Sequence, residues 1–553
     1  MAERSRRAVE TDLSDNEGGT GSHPTRLRYT SLRQLNHWID EAGFGWFHWK
    51  MMVAVSGMQM QDGAEVVLMS SILQALQEEW RFSNWIRGSL VSVPFVGVLL
   101  GSLMAGHIAD VVGRRPAILT SYIVMVVAGV FSAFVNTVDG LMITRIFVGL
   151  SYGVVTPSTL TLLLECTPST KRNVVIAFIL GMFSAGQLLV TALLWWLMPD
   201  LRLHGDNWRW VSALAILPAL ACLPFAVCLL RESPYYLLCH HRITELVTLL
   251  KEMGRCNGTS EKLLDLSEDT VIPADVPVDD EKHSFTGRIS GVFAKRNQVN
   301  VAHFPIPAAG TGWATVALCF LTFTGNFAFV GVAYMLPIAL RQMADRGWDA
   351  AGGPSPALSL SLITIAGVVG DGLSCLVVVD KFPIGLKGVI AASAFVAALL
   401  SLGMISLDLA APIVGLMLAF LYNLLSQPFL STVYVYIPHI YPAFCRTTGS
   451  GFCMSWGRIG AAVVPLIFEG LGSLSDDVMD SRPPANQTRT WPFSLALAFL
   501  FAVCTIVALP LPDEARNTSL DTCAVEWAEY EEEADQSSEE ERKALIDDNA
   551  KQA

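Results

Sequence analysis

Two carboxylates interrupt the first apolar run of this chain. Asp62 and Glu65 stand three residues apart within 51–74, which puts them on one face of a helix. At the centre of a membrane helix an ionised carboxylate costs about 2.5–3.5 kcal/mol on insertion scales, so such a residue faces a cavity, a partner or a proton path. The chemistry open to the pair is binding of a substrate or a proton; the alternative is a span that starts later, with both acids in an outer vestibule. A second acid, Asp371, follows Gly367 and Gly370 in another apolar run. It lies nine residues before Asp380, about 13 Å at helical rise, where a water-filled vestibule could solvate it. Arg145, Gly149 and Gly153 recur every four residues, and the glycines form a flat stripe for close helix approach. For Arg145 a structural ion pair and a coupling role are both open. Gln187, Asn326, Tyr334, Tyr422, Asn423 and Gln427 are uncharged polar groups that could line a cavity with Phe327, or hydrogen-bond helix to helix.

Elements of membrane length must position these groups. The chain has 553 residues, 52% hydrophobic and 16% charged, with a mean hydropathy of +0.45, far above an ordinary soluble domain. The net charge of -13 is concentrated in the termini and the middle loop, and nucleic acid is not expected as a partner. The 11 cysteines are scattered without Cys-x-x-Cys spacing and read as small buried side chains rather than a disulfide or metal framework. No cofactor is implied, and no cleavable signal peptide is recognised before the first span. There is no nucleotide loop, His-Glu-x-x-His helix or serine elbow, which argues against an enzyme. Apolar segments of bilayer length fall near 51–74, 89–109, 116–136, 141–163, 174–197 and 211–230, then near 313–338, 356–379, 386–407, 411–434, 447–470 and 491–512. The predicted fold is therefore all-α and membrane-embedded, with twelve transmembrane helices.

Short-loop charge sets an orientation. Arg114, Arg115, Lys171, Arg172, Lys381, Lys387 and Arg446 fall on one side, against Arg81, Arg87, Arg341 and Arg346 on the other, so both termini are expected in the cytoplasm. The chain also repeats itself. Glu165 precedes Pro168 and Arg172 at the spacing with which His439 precedes Pro442 and Arg446, and Asp110 is echoed by Asp380. Two parallel six-helix repeats follow, with a solute site between them near the midplane. The expected organisation is an N-terminal arm (1–50), a first bundle (51–230), a middle loop (231–312), a second bundle (313–512) and an acidic tail (513–553).

Gly106 to Arg115 describes a tight turn between two spans: Asp110 placed to accept from Arg114 or Arg115, Gly113 free to turn left-handed, and two arginines to hold the turn inside. These residues resemble the loop motif of the major facilitator superfamily. With Gly43 to Lys50, Asp62 and Glu65, the Arg145 stripe, Glu165 to Arg172, Glu232-Ser-Pro234 and Tyr441 to Gly449, the chain resembles the synaptic-vesicle-related and organic-solute carriers of that superfamily. The compact subgroup, with its aromatic-acid and nicotinate relatives, is the nearer match. The resemblance implies a secondary transporter of a small organic solute, charged or aromatic, coupled to protons and working by alternating access. Facilitated uniport of a sugar-like solute, which Glu232-Ser-Pro favours, and a binding protein without turnover are the rivals. It also implies a gating set of Gly106, Asp110, Gly113, Arg114, Arg115, Arg145, Glu165, Arg172, Glu232, Asp380, His439 and Arg446. His439 stands where the related carriers have an acid, and the second turn, Asp380 to Lys387, has two extra residues before its glycine and no arginine. Glu541, Leu545 and Ile546 have the form read by sorting adaptors, and Asn486 begins a glycosylation sequence. Residence in the plasma membrane or an intracellular vesicle is expected.

Overall fold

A computed structural model describes residues 34–202, 205–258, 266, 311–346, 353–379, 385–407, 412–440, 446–478 and 490–511. The chain enters as a helix over 34–42, then runs through α1 (Trp46–Trp80), α2 (Asn84–Val111), α3 (Arg114–Ser132), α4 (Val138–Cys166), α5 (Arg172–Leu197) and α6 (Asn207–Leu229). Two short helices, α7 (Pro234–Cys239) and α8 (Ile243–Asn257), precede α9 (Thr311–Asp345), α10 (Pro356–Val379), α11 (Gly385–Gly403), α12 (Pro412–Ile440), α13 (Arg446–Val478) and α14 (Trp491–Ala508).

Local chemistry sets the turns. Arg81, in the left-handed region at φ 52°, ends α1, and the Ser83 hydroxyl accepts from the Ile86 amide to start α2. The Thr137 side chain caps α4 in the same way through Gly140. Such caps satisfy backbone donors that a helix start leaves open. The sixth span is broken at Ile216, two residues before Pro218, whose ring nitrogen has no hydrogen to give the ladder.

Among the described residues, ten helices are long and apolar enough to cross a membrane. Two more helices, α1 and α5, have the length of a span. Gln59, Gln61, Asp62 and Glu65 lie inside α1 and lower its hydropathy, whereas α5 is apolar for nearly its whole length. Polar content in the middle of a span is the cost of carrying a site there.

Packing follows the small residues. A Cβ on Gly63 would stand 1.9 Å from the Phe183 carbonyl oxygen, and one on Gly186 would stand 1.8 Å from that of Met60, so α1 and α5 cross backbone to backbone. The expected stripe on α4 does the same work against α2: a Cβ on Gly149 would meet the Pro94 carbonyl at 2.0 Å, and one on Gly153 that of Val98 at 2.3 Å. Helices α9 and α13 pair in the second set, as do α10 with α12 and α11 with α14. The two sets meet along α2 with α13, α5 with α10, and α1 with α9.

Helix α8 buries Leu246, Val247, Leu250 and Met253 in one cluster with Leu35, Trp38, Ile39 and Ala42. Asn257 ties the two together. Its Nδ2 donates to the Ala42 and Gly43 carbonyls at 2.9 Å each, and its Oδ1 accepts from the Phe47 amide at 3.1 Å. The chain from residue 34 onward is thus built into the bundle's end, although the sequence assigns it to the N-terminal arm.

Candidate functional site

Asp62 and Glu65 share a helix face but not an environment. The Glu65 carboxylate accepts from Arg145 Nη1 on α4 and from Gln61 Nε2 at 3.0 Å. Arg145 is fully buried, and its Nη2 also donates to Ser132 Oγ on α3 at 3.2 Å. Asp62 is only partly buried and makes no hydrogen bond or ion pair with any described residue. The charges that act on it are those of Arg458, from α13 in the second set of helices, and Glu65. Arg458 is likewise partly buried and hydrogen-bonds to none of the described residues. Two opposite charges from facing elements therefore act on each other without a direct partner among the described residues.

Four of the expected cavity residues do come together. Gln187 of α5 and Tyr422, Asn423 and Gln427 of α12 line one pocket, with Thr364 of α10, Phe329 of α9 and Val67 of α1. Asn423 Nδ2 donates to the Ala419 carbonyl at 3.1 Å, whereas the Gln187 and Gln427 amides bond to none of the described residues. Every polar group in this lining is uncharged. Asn326, Phe327 and Tyr334 are absent from it. Asn326 Nδ2 donates to Tyr434 Oη at 2.8 Å, and Phe327 stacks between Phe323 and Phe493. The Asp371 carboxylate accepts from Ser184 Oγ, so the pair joins α10 to α5 across the two sets.

Tyr334 belongs to a cluster that the sequence does not announce. Arg87 of α2 meets Glu469 of α13 two-pronged, Nε donating at 2.9 Å and Nη2 at 2.7 and 2.9 Å. Tyr334 Oη donates to the same carboxylate, and Arg87 Nη1 donates to Gln77 Oε1 at 2.9 Å. Nearby, Arg341 pairs with Glu78 and Arg202 with Asp345, and the Ala357 amide donates to the Pro199 carbonyl at 3.2 Å. The Arg87–Glu469, Arg341–Glu78, Arg202–Asp345 and Ala357–Pro199 contacts each join the first set to the second, on the face where α1 ends. That face is closed. Glu469 could have been found as an acid inside the run 447–470, and Arg458 as an arginine in the same run; Arg87 reads from sequence only as a loop charge.

At the opposite face lies the Gly113 turn. Gly113 has φ 109°, and a Cβ there would stand 2.7 Å from Glu232 Oε2. The Glu232 carboxylate accepts the Arg114 amide at 3.0 Å, the Arg115 amide at 3.3 and 3.2 Å, and the Ser233 amide at 3.0 Å, so it caps α3 and meets the helix dipole. Glu165 sits 3.6 Å from Arg114 Nε and accepts from Ser233 Oγ. The Arg114 guanidinium lies over the Tyr236 ring, 5.2 Å from its centroid, and Arg115 Nη2 donates to the Val227 carbonyl at 3.2 Å. Outside the membrane helices, the Glu252 carboxylate hydrogen-bonds Arg231 and raises that guanidinium above its ordinary value. Arg172 heads α5. Gly106 and Asp110 lie in α2, His439 in α12 and Arg446 at the start of α13, with side chains outside those described. Asp380, Asn486, Glu541, Leu545 and Ile546 lie outside the described residues.

The model for the Major Facilitator Superfamily matches residues 55–465. Organic cation/carnitine transporter 7 of Arabidopsis thaliana is 28% identical over 459 residues, covering 78% of this chain and 88% of its own. Synaptic vesicle 2-related protein of Pongo abelii is 27% identical over 443 residues, covering 78% and 74%. The fold is similar to that of the proton:xylose symporter XylE bound to 6-bromo-6-deoxy-D-glucose, with a TM-score of 0.63 at 16% identity over 87% of this chain and 99% of that one. With α1 to α6 and α9 to α14 as its twelve spans, the chain is an integral membrane transporter and belongs to the Major Facilitator Superfamily.

Proposed function

We propose that the chain carries a small charged organic solute by alternating access and couples its movement to protons. The observation that carries this reading is Asp62: a carboxylate in mid-span with no protein partner among the described residues, beside an acid that has one. Glu65 is already neutralised by Arg145, so the site's capacity to take a proton rests on Asp62. Arg458 supplies the opposite charge from the second bundle. A solute carboxylate is drawn to Arg458 and an ammonium to Asp62, while the Gln187, Asn423 and Gln427 amides hydrogen-bond its neutral parts.

The two bundles, 51–230 and 313–512, rock about this site, and the Gly113 turn, the loop 231–312 and both termini face the cytoplasm. With the Arg87 face shut, the site exchanges with the Gly113 face. Protonation of Asp62 removes a buried charge before the bundles close over it, which lowers the cost of the occluded state. The name of the Arabidopsis relative, an organic cation/carnitine transporter, supports a charged organic cargo. A second reading, uniport of a neutral polyhydroxylated solute, is favoured by the uncharged lining of the pocket.

Uptake into proteoliposomes under an imposed pH gradient tests the reading. A metabolite mixture is offered and the vesicle contents are read by mass spectrometry. Wild-type protein accumulates a solute beyond its own copy number and Asp62→Asn does not. Accumulation that ignores the gradient leaves uniport standing, and retention equal to the copy number removes transport altogether.

A further inference from the structure

We infer that Gly367 is a specificity-determining residue, and that the niche it leaves open beside Gln427 and Asn423 takes a carboxamide of the solute. This rests on the carrier reading and adds a neutral group to the solute's chemistry. Gly367 lies in α10, is buried and lines the pocket with both amides. A Cβ there would stand 3.4 Å from Gln427 Nε2 and 3.9 Å from Asn423 Oδ1, and would meet nothing else on a neighbouring helix within 4 Å. Those are ordinary contact distances, so packing does not demand a glycine at this point. Gly370, one turn on, is different: a Cβ on it would stand 2.5 Å from the Leu424 carbonyl oxygen, where α10 crosses α12. That crossing holds α12 against Gly367 and keeps the two amides at the niche.

Other polar groups of the lining are committed. The Thr364 hydroxyl donates to the Leu360 carbonyl at 2.8 Å, and Tyr422 hydrogen-bonds with Ser426. Asn423 gives Nδ2 to the Ala419 carbonyl at 3.1 Å, which leaves Oδ1 to the niche as an acceptor. Gln427 bonds to none of the described residues and brings Nε2, a donor. One donor and one acceptor therefore border the same opening, in a pocket otherwise largely apolar, with Phe329, Phe429 and Leu430 among its walls.

A carboxamide answers both at one edge: its carbonyl accepts from Gln427 and its N–H donates to Asn423. A carboxylate would set a second acceptor against Asn423 Oδ1, and an ammonium a second donor against Gln427 Nε2. Either mismatch leaves a desolvated polar group without its partner. The niche thus selects by complementary hydrogen bonds, as a site built to bond a polar group does, while Asp62 and Arg458 take the solute's charge. A methyl on Gly367 would lie in van der Waals contact with both amides and shield them from an occupant.

Thermal melting of the purified protein, with benzamide as the probe, tests this without turnover or a pH gradient. Wild type should show a saturable rise in melting temperature with benzamide and none with toluene or with N,N-dimethylbenzamide, which lacks the N–H. Gly367→Ala should melt at or above the wild-type temperature without ligand, since alanine favours a helix, and should lose the benzamide response. Gly372→Ala on the same helix, where a Cβ meets nothing within 4 Å, should keep it. Gln427→Leu removes the donor with little change of shape and should raise the half-saturating concentration about tenfold. No benzamide response in wild type, an equal response in Gly367→Ala, or equal responses to benzamide and N,N-dimethylbenzamide overturns the inference, and proton-driven uptake then stands on its own test. The expected pattern of benzamide binding in a protein that accumulates nothing in proteoliposomes supports the niche and overturns the carrier reading alone.

Discussion

Glu65 of α1 and Arg145 of α4 form an ion pair inside the first bundle, while Asp62, one turn earlier on α1, has no hydrogen-bond or ion-pair partner among the described residues. The two acids should therefore fail differently when neutralised. Glu65→Gln strands a fully buried guanidinium, which costs about 3–5 kcal/mol, so the melting temperature of the detergent-purified protein should drop sharply. Replacing both partners, Glu65→Leu with Arg145→Leu, should recover much of that loss. Asp62→Asn should melt within about 0.5 kcal/mol of wild type, as an unpaired residue does, and still lose pH-driven uptake. Equal melting losses in Asp62→Asn and Glu65→Gln would contradict this division of roles.

Glu232 offers a comparison between a helix-capping carboxylate and a solvent-accessible ion pair on the cytoplasmic side of the proposed topology. Its carboxylate takes three backbone amides, two of them at the start of α3. Glu232→Gln keeps the shape and removes the charge that faces the helix dipole, a loss of about 1–2 kcal/mol. Glu252→Gln breaks the ion pair to Arg231, whose side chains are each 36% exposed, and such pairs contribute about 0–1 kcal/mol. Thermal melts of the two variants should rank in that order, and the reverse ranking would remove Glu232 from the role of helix cap.

The spans were legible because a bilayer demands about twenty apolar residues, and the α2–α4 glycine stripe because close packing demands small ones. Partners were not. Arg87 and Glu469 are 382 residues apart, and no spacing rule reaches across two bundles; Arg87 looks like a loop charge because α2 begins three residues before it. Periodicity also failed on α9. That helix is apolar on nearly every side and largely buried, so sequence cannot say which face meets the pocket, and Asn326, Phe327 and Tyr334 were all assigned to it. On α12, Tyr422, Asn423 and Gln427 line one pocket, and three polar groups within six residues of an apolar helix are a signal that sequence can show.

The crossing of α1 and α5 makes a steric prediction with an internal control. Methyl groups at Gly63 or Gly186 would overlap backbone carbonyls, whereas one at Gly181, also on α5, would meet nothing within 4 Å. Gly181→Ala should be neutral or stabilising, since alanine favours a helix by roughly 1 kcal/mol over glycine. Gly63→Ala and Gly186→Ala must part the helices and should cost at least 1–3 kcal/mol, on the order of other overpacking changes. Expression and melting of the three variants in parallel settle it, and a tolerated Gly63→Ala would show that the crossing is looser than described.

The last prediction concerns which solutes the centre accepts. Asp62 and Arg458 project from α1 and α13, neither with a protein partner among the described residues, and each feels the other's field. A ligand present at a hundred times its dissociation constant stabilises the folded state by about 2.7 kcal/mol, so thermal shifts can rank candidates without knowing the natural cargo. Carboxylates should stabilise wild type and Asp62→Asn but not Arg458→Gln. Organic ammonium ions should stabilise wild type and Arg458→Gln but not Asp62→Asn, because each variant removes the counter-charge of one class and leaves the other. Raising salt should weaken both responses less than it weakens an exposed ion pair, since the centre is partly shielded from solvent. If neutral polyols shift wild type and both variants alike while neither charged class does, the amide-lined pocket rather than the charged centre recognises the solute, and the uniport reading takes precedence.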